Sequence, residues 1–328
     1  AGGEYTYTVS LAAAKDPGYT IEGNGSYTVT SADGLINVAE LVNGGKTDIN
    51  ITLDKNIDLT GKGWTPIGTS FDNSYTGTFD GGGHTITGLT VTTNDEYAGL
   101  FGYLGNFGKF GTVKNVVMDG IQITCNHRLG YAGGVAGYSR GTIENCSVSG
   151  SVSGTVSVGG VVGIQRDGSI TGCSSSATVK GTLNVGGVAG QTIFGATLTA
   201  CYATGNVIIE IDRTENISGG GLVGYNDGVS LLSCYATGNV TSTGSSTGYV
   251  HIGGFLGNNY ANVMTACYWK NNHEQGIGYN KKSTEATKVD GTDVTWQKAV
   301  DAMNTALQNA GSEWRYELKG ALPTLRKQ

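Results

Sequence analysis

The sequence predicts an all-β protein, a right-handed parallel β-helix with a helical cap at its N-terminus and another at its C-terminus. Three observations carry this. A glycine-framed motif recurs six times: AGLFG at 98–102, GGVAG at 133–137, GGVVG at 159–163, GGVAG at 186–190, GGLVG at 220–224 and GGFLG at 253–257. The last glycines of successive copies are 35, 26, 27, 34 and 33 residues apart, a period at which each unit buries its apolar face only against its neighbours. About ten residues after the motif comes Cys146, Cys173, Cys201, Cys234 or Cys267, with Val116 in that place in the first unit. Finally, the stretch after the cysteine alternates with a period of two, the signal of a half-buried strand. A propeller blade needs about 40–45 residues, so units of 26 or 27 are too short.

In chain order, EYTYTVS at 4–10 and SYTVT at 26–30 read as short strands. Ser31 is a candidate N-cap for a helix at about 32–43. Leu35, Val38, Ala39 and Val42 would line its buried face, and Gly44 or Gly45 would end it. Residues 1–95 form the N-terminal strands and cap, 96–285 the repeat solenoid and 286–328 the C-terminal cap, all in one continuous domain. Within the repeats, CYATGNV occurs unchanged at 201–207 and 234–240. Its alternation turns Cys201, Ala203, Gly205 and Val207 inward and Tyr202, Thr204 and Asn206 outward. Cys146, Val148, Gly150 and Val152 repeat the inward set. The motif itself pairs adjacent apolar residues, such as Leu222 and Val223, between glycines. It reads as a short strand bent where positive φ or a close backbone approach demands glycine. Near the C-terminus, Trp296, Ala299, Val300, Met303 and Leu307 are spaced as one helical face closed by Gly311. The strands WRYEL at 314–318 and ALPTL at 321–325 follow.

GGLVG followed by CYATGNV resembles the GLUG-motif family, named for its Gly-Leu-hydrophobic-Gly pattern. The resemblance extends upstream to WTPIG at 64–68 and YTGTFDGGGHTITGLTV at 75–91, and spans about residues 27–328. It implies a bacterial cell-surface or secreted protein, of adhesin type or accessory to IgA-specific metallopeptidases, and it supplies no catalytic residue. The departures are the imperfect first motif, AGLFG, and the alanines at 136 and 189, which imply tighter packing in two coils.

Composition narrows the function classes. The chain has 328 residues, 56 of them glycine, three prolines, 14% charged residues and a net charge of −6. A glycine in a regular element costs roughly 0.5–1 kcal/mol relative to alanine, whereas a fully buried Val or Leu contributes about 1.5–3 kcal/mol. A solenoid with several apolar positions per coil is therefore stable. The acidic balance has no basic stripe, so nucleic acid is not an expected partner. No run of about eighteen apolar residues exists to span a bilayer. An extracellular or cell-surface location is expected, with lipid anchoring through a preceding N-terminal segment, and a monomer.

The five equivalent cysteines are expected to stack as buried free thiols, since disulfide dihedrals fit parallel in-register side chains poorly. Cys125 stands off the ladder and is the candidate reactive thiol. The spacings match no zinc motif, and neither a metal nor a cofactor is expected. FDGGGHTI at 79–86 is the most enzyme-like string. It reads as a glycine turn in which Asp80 bonds local backbone, with His84 unaccompanied. From Gly120 to Ile209 the acids are Glu144 and Asp167 alone, whereas glycoside hydrolysis needs two carboxylates facing one bond. Asp212, Glu215 and Asp227 read as solvated loop residues.

The sequence therefore points to a non-catalytic surface binding or adhesion module for a host or dietary glycan or an extracellular protein. The alternative is a glycan-active β-helix enzyme, a polysaccharide lyase or glycoside hydrolase. The expected ligand site is a row of outward rings, Tyr202, Tyr235 and Tyr268, flanked by Asn206 and Asn239. Repeat length varies mainly at 208–219 and 241–252, and insertions in solenoids often gather on the binding face.

Overall fold

The structure, a computed structural model, describes residues 16–211, 215–260 and 263–328. The expected strand at 4–10 lies outside them. The chain forms a parallel β-solenoid in which each full coil carries five short strips. In the coil that begins at Thr142, strip 1 takes 142–144, strip 2 takes 147–148 and strip 3 takes 151–153. Strip 4 is Ser157–Gly159 and strip 5 is Val162–Arg166. Every strip pairs in parallel with its counterparts one coil above and below. Along strip 5 the rungs run Phe101, Ala136, Val162, Ala189, Val223, Leu256 and Ile277.

The inward set alternates as expected. Cys201, Ala203 and Val207 have no exposed surface, while Tyr202 is half-buried and Asn206 exposed. The alternation fails at Gly150, which is exposed with φ 117° beside a register shift between Met118 and Ile121. Large rings fill the interior near the N-terminal end. There Phe101 packs on Tyr75 and Phe79 at ring distances of 5.2 and 5.4 Å. Later coils hold Ala, Val, Leu or Ile at the Phe101 rung.

The motif glycines owe their identity to close approach, because none of those at 133–137, 159–163 or 186–190 has positive φ. A Cβ on Gly163 would lie 2.4 Å from Gly137 O and 2.9 Å from both Ala132 N and Ser157 O. Strips 4 and 5 thus meet backbone to backbone at the motif. Val161 and Val162 both have zero exposure, since the chain turns a corner at this pair.

Positive φ appears instead at the residue before each ladder position. Asn115, Asn145, Ala200, Ser233 and Ala266 have φ between 50° and 56°, and Gly172 has φ 64°. This left-handed residue turns the chain from strip 1 to strip 2, with Asn tolerating it best. Each cysteine then points its thiol at the carbonyl two residues back. Cys201 Sγ lies 3.3 Å from Thr199 O, and Cys173 Sγ lies 3.4 Å from Thr171 O. All six cysteines are free and buried. Cys125 is no exception, at 2% exposure. Its burial pushes the thiol pKa up, so the expectation of a reactive Cys125 is corrected. Between strips 5 and 1 runs a second ladder, of buried polar groups. Thr192 Oγ1 donates to Asn226 Oδ1 at 2.7 Å, Asn226 to Asn259 at 3.0 Å and Asn259 to Asn280 at 3.1 Å.

Both expected helices are present. Helix α1, Ala32–Asn43, is capped by Ser31 Oγ, which accepts from Gly34 N at 3.0 Å, and it buries Leu35, Val38, Ala39 and Val42. Helix α2, Trp296–Asn309, is capped by Thr295 and buries the five expected residues. The C-terminal segment reaches much further along the solenoid than an end cap would. After α2, an antiparallel hairpin pairs 314–317 with 324–327, and Lys327 meets Glu144 at 2.9 Å, several coils back. This segment lies along the strip 2 flank because that flank presents large rings.

Two outcomes follow from this packing. Gly163→Ala should lower stability by about 1–3 kcal/mol through overpacking, read as a lower denaturation midpoint. Gly63→Ala, where a Cβ meets nothing within 4 Å, should be neutral or slightly stabilising. A thiol reagent should label no cysteine in the native protein and all six once it is unfolded.

Candidate functional site

The expected tyrosine row exists but is covered. Tyr202, Tyr235 and Tyr268 stand in register on strip 2, and the first two rings stack at 4.9 Å and 3°. Tyr235 has no exposed surface and Tyr268 only 9%. Trp296 of α2 packs on Tyr235 at 5.1 Å and Tyr316 at 5.8 Å. The Tyr235 hydroxyl donates to Pro323 O, and the Tyr316 hydroxyl donates to Ser233 O at 2.8 Å. Trp314 sits on Gly172, where a Cβ would come within 2.2 Å of its ring. The rings leave the solenoid core as expected, but the expectation that Tyr235 and Tyr268 are accessible is corrected. The rings are the apolar seat of the C-terminal segment, not an open platform. Asn206 and Asn239 are exposed, and Asn206 Oδ1 accepts from Asn239 N at 3.1 Å, which extends the rung pairing.

The acids fall into separate structural roles. Asp80 accepts from Gly82 N and Asn115 Nδ2, both at 2.9 Å, and meets Lys114 at 3.3 Å. Burial raises its pKa, but those bonds and the lysine together outweigh it and hold the carboxyl below its ordinary value. Glu144 pairs with Lys327 and Asp167 with Arg140, at 2.9 and 2.8 Å. Glu215 and Asp227 are exposed, and Asp212 lies outside the described residues. Among the described residues no three His, Cys, Asp or Glu side chains converge as a metal site.

A different face carries an open cleft. Where strips 4 and 5 meet at the motif glycines, their outward side chains face each other across a concave bend. Hydrogen bonds cross it: Asn258 Nδ2 donates to Ser218 Oγ at 2.9 Å, and Ser157 Oγ to Gln191 Oε1 at 3.4 Å. Towards the N-terminus the bend is filled by rings. Tyr103 stacks on Tyr138 at 4.5 Å, and Tyr97 meets Tyr131 at 5.7 Å and Tyr103 edge-on at 5.2 Å. Further along, Asn184, Gln191, Ser218 and Asn258 come between the rings and a cleft of about 620 Å³ opens, within the usual range for ligand sites.

One wall of this cleft is Asn184, Ser218 and His251 from strip 4, and the other is Gln191, Tyr225, Asn258 and Tyr279 from strip 5. Asn216, Tyr249 and Tyr260 add a rim. His251 lies between Tyr249 and Tyr279, at ring distances of 6.0 and 4.9 Å, and burial keeps its pKa below the ordinary value. Tyr260 bridges Tyr225 and Tyr279 at 5.7 and 5.9 Å. Asn258 is 5% exposed, and its Oδ1 is buried with no hydrogen-bond partner. An unpaired buried acceptor costs about 1–3 kcal/mol. Sequence reasoning missed the cleft, although one signal pointed to it. Asn216 and Tyr249 belong to the two long insertions, which are tied together by Asn216 Oδ1 accepting from Tyr249 N at 3.1 Å.

Comparison with known proteins agrees with the repeat reading. The GLUG motif is matched at residues 129–153 and again at 154–180. A stretch of 121 residues, 34% of this chain, is 39% identical to part of halomucin from Haloquadratum walsbyi and covers 1% of that protein. A stretch of 129 residues, 37% of the chain, is 34% identical to a candidate Gly-rich membrane protein of Evansella cellulosilytica and covers 14% of it. The chain thus spans a small fraction of either relative. A crystal structure from Bacteroides ovatus, described as a candidate immunoglobulin A1 protease, superposes with a TM-score of 0.69 over 95% of both chains. At 19% identity that likeness is one of fold.

The covered flank yields a direct expectation. Tyr235→Ala should cost about 3–5 kcal/mol of stability, as for other buried aromatic truncations. It should loosen the C-terminal segment, seen as faster proteolysis within 290–328.

Proposed function

We propose that the protein is a non-catalytic binding module of the cell surface, holding a glycan or an extracellular protein in the cleft between strips 4 and 5. The observation that carries this is the cleft lining itself: four tyrosines, a histidine, amides and a serine, with no carboxylate. Aromatic faces and fixed amides are the usual means of holding and orienting a ligand. Hydrolysis of a glycosidic bond instead needs two carboxylates across it, and this lining offers neither. A surface location rests on the GLUG repeats and on the likeness to a protein named for the membrane. No helix among the described residues is long and apolar enough to cross a bilayer, and the reading takes a lipid anchor as the means of attachment. The reading takes the protein as a single continuous domain and a monomer, with its N-terminal cap, repeats and C-terminal segment acting as one scaffold.

The structural neighbour named for immunoglobulin A1 proteolysis motivates one comparison, with immunoglobulin A as a test substrate. Incubation of the protein with immunoglobulin A and with a polysaccharide panel should give retention on at least one immobilised partner. It should produce no new reducing ends, no rise in unsaturated-uronate absorbance and no cleavage fragments. Depolymerisation of any polysaccharide would replace this reading with the glycan-active enzyme.

A further inference from the structure

The same cleft also indicates what kind of ligand it takes. We propose, resting on the binding reading above, that it recognises an uncharged saccharide through its hydroxyl groups and ring faces.

Charge is the first argument. None of the residues lining the cleft carries a formal charge when His251 is neutral. Lys281 Nζ, at the rim, lies over the Tyr260 ring at 5.2 Å. Anionic polysaccharides and acidic peptides are held by Arg or Lys forks, which this lining lacks.

Hydrogen-bond chemistry is the second. Asn258 Nδ2 is already engaged with Ser218, which leaves Oδ1 as a buried acceptor awaiting a donor. A carboxylate or phosphate cannot donate to it, whereas a sugar hydroxyl can. The neighbouring amides of Asn184 and Gln191 offer both donor and acceptor atoms, which suits hydroxyls that do both.

Backbone availability is the third. Strips 4 and 5 are paired above and below at Asn184 and Ser218 on one side and at Gln191, Tyr225 and Asn258 on the other, and His251 and Tyr279 stand on the end strands of the two sheets. An extended peptide therefore finds a free strand edge at the C-terminal end of the cleft and not along its length. The lining also holds no aliphatic side chain to seat an apolar peptide residue. Tyr249 and Tyr279 instead present ring faces at the mouth, 72% and 39% exposed, where a sugar ring can stack.

The full chain should be tested on immobilised neutral polysaccharides (mannan, xylan, mixed-linkage glucan, starch), anionic ones (polygalacturonate, alginate, hyaluronan) and immunoglobulin A. The expected result is binding to at least one neutral polysaccharide, with affinity unchanged between low and high salt. Tyr279→Ala should weaken that binding about tenfold or more with an unaltered thermal midpoint, because the ring is already exposed. Asn258→Leu should weaken it about tenfold, as expected for one lost hydrogen bond. Tyr202→Phe, on the opposite flank, should leave it unchanged. Binding only to an anionic polysaccharide or only to protein would overturn the saccharide inference and leave the binding reading standing. Neutral binding indifferent to both cleft variants would overturn it equally. Retention of nothing on the panel would overturn both.

Discussion

The structure depends on one steric requirement: strips 4 and 5 must meet with no side chain between their backbones. The motif glycines satisfy it coil after coil. A Cβ at Gly190 would come within 2.4 Å of Val158 N, and one at Gly224 within 2.5 Å of Val185 N. The contact fixes the bend, and the bend sends Val161 and Val162 of one coil into the core together. It also turns the outer faces of the two strips toward each other. The repeat motif is thus the reason for the groove as well as for the period. Its glycines are needed for space and not for unusual dihedral angles, which sets them apart from Gly172 at the strip 1–2 corner.

The two long sides of the solenoid have opposite fates because of what packs on them. On strip 2 the rings of Tyr202, Tyr235 and Tyr268 form an apolar stripe, and exposed stripes of that kind favour cover. The C-terminal segment supplies it, with Trp296, Trp314 and Tyr316 buried against the stripe and Lys327 paired to Glu144 at its far end. Strips 4 and 5 have no such partner. At their N-terminal end four tyrosines fill the bend by packing on one another. Beyond Ser157 the tyrosines alternate with Asn184, Gln191, Ser218 and Asn258, and space opens.

Internal ladders hold the coils in register. The cysteine thiols stack beside strip 1 carbonyls, and the Thr192–Asn226–Asn259–Asn280 chain satisfies its buried polar atoms from rung to rung. Buried amides are tolerable only when their partners are present, so this ladder specifies register as well as stabilising it. Against that background the unpartnered Oδ1 of Asn258 stands out. Its side chain belongs to the outer face and lines the cleft.

Local pattern was sufficient for much of this fold. Period and alternation determined the solenoid, the stacked cysteines and the inward set from Cys201 to Val207. Capping chemistry determined both helices, with Ser31 and the buried faces of α1 and α2 as read. These properties depend on neighbours a few residues away or one repeat away, and a single sequence records both. The tertiary structure alone decided which tyrosines are reachable. Alternation says that Tyr235 leaves the core, but not that residues 296–325 return to cover it, since that contact joins positions about ninety residues apart. It also decided that Cys125 is buried. The cleft was hidden for the same reason. Its walls come from strips of different coils, and its rim comes from two insertions that the solenoid stacks one above the other.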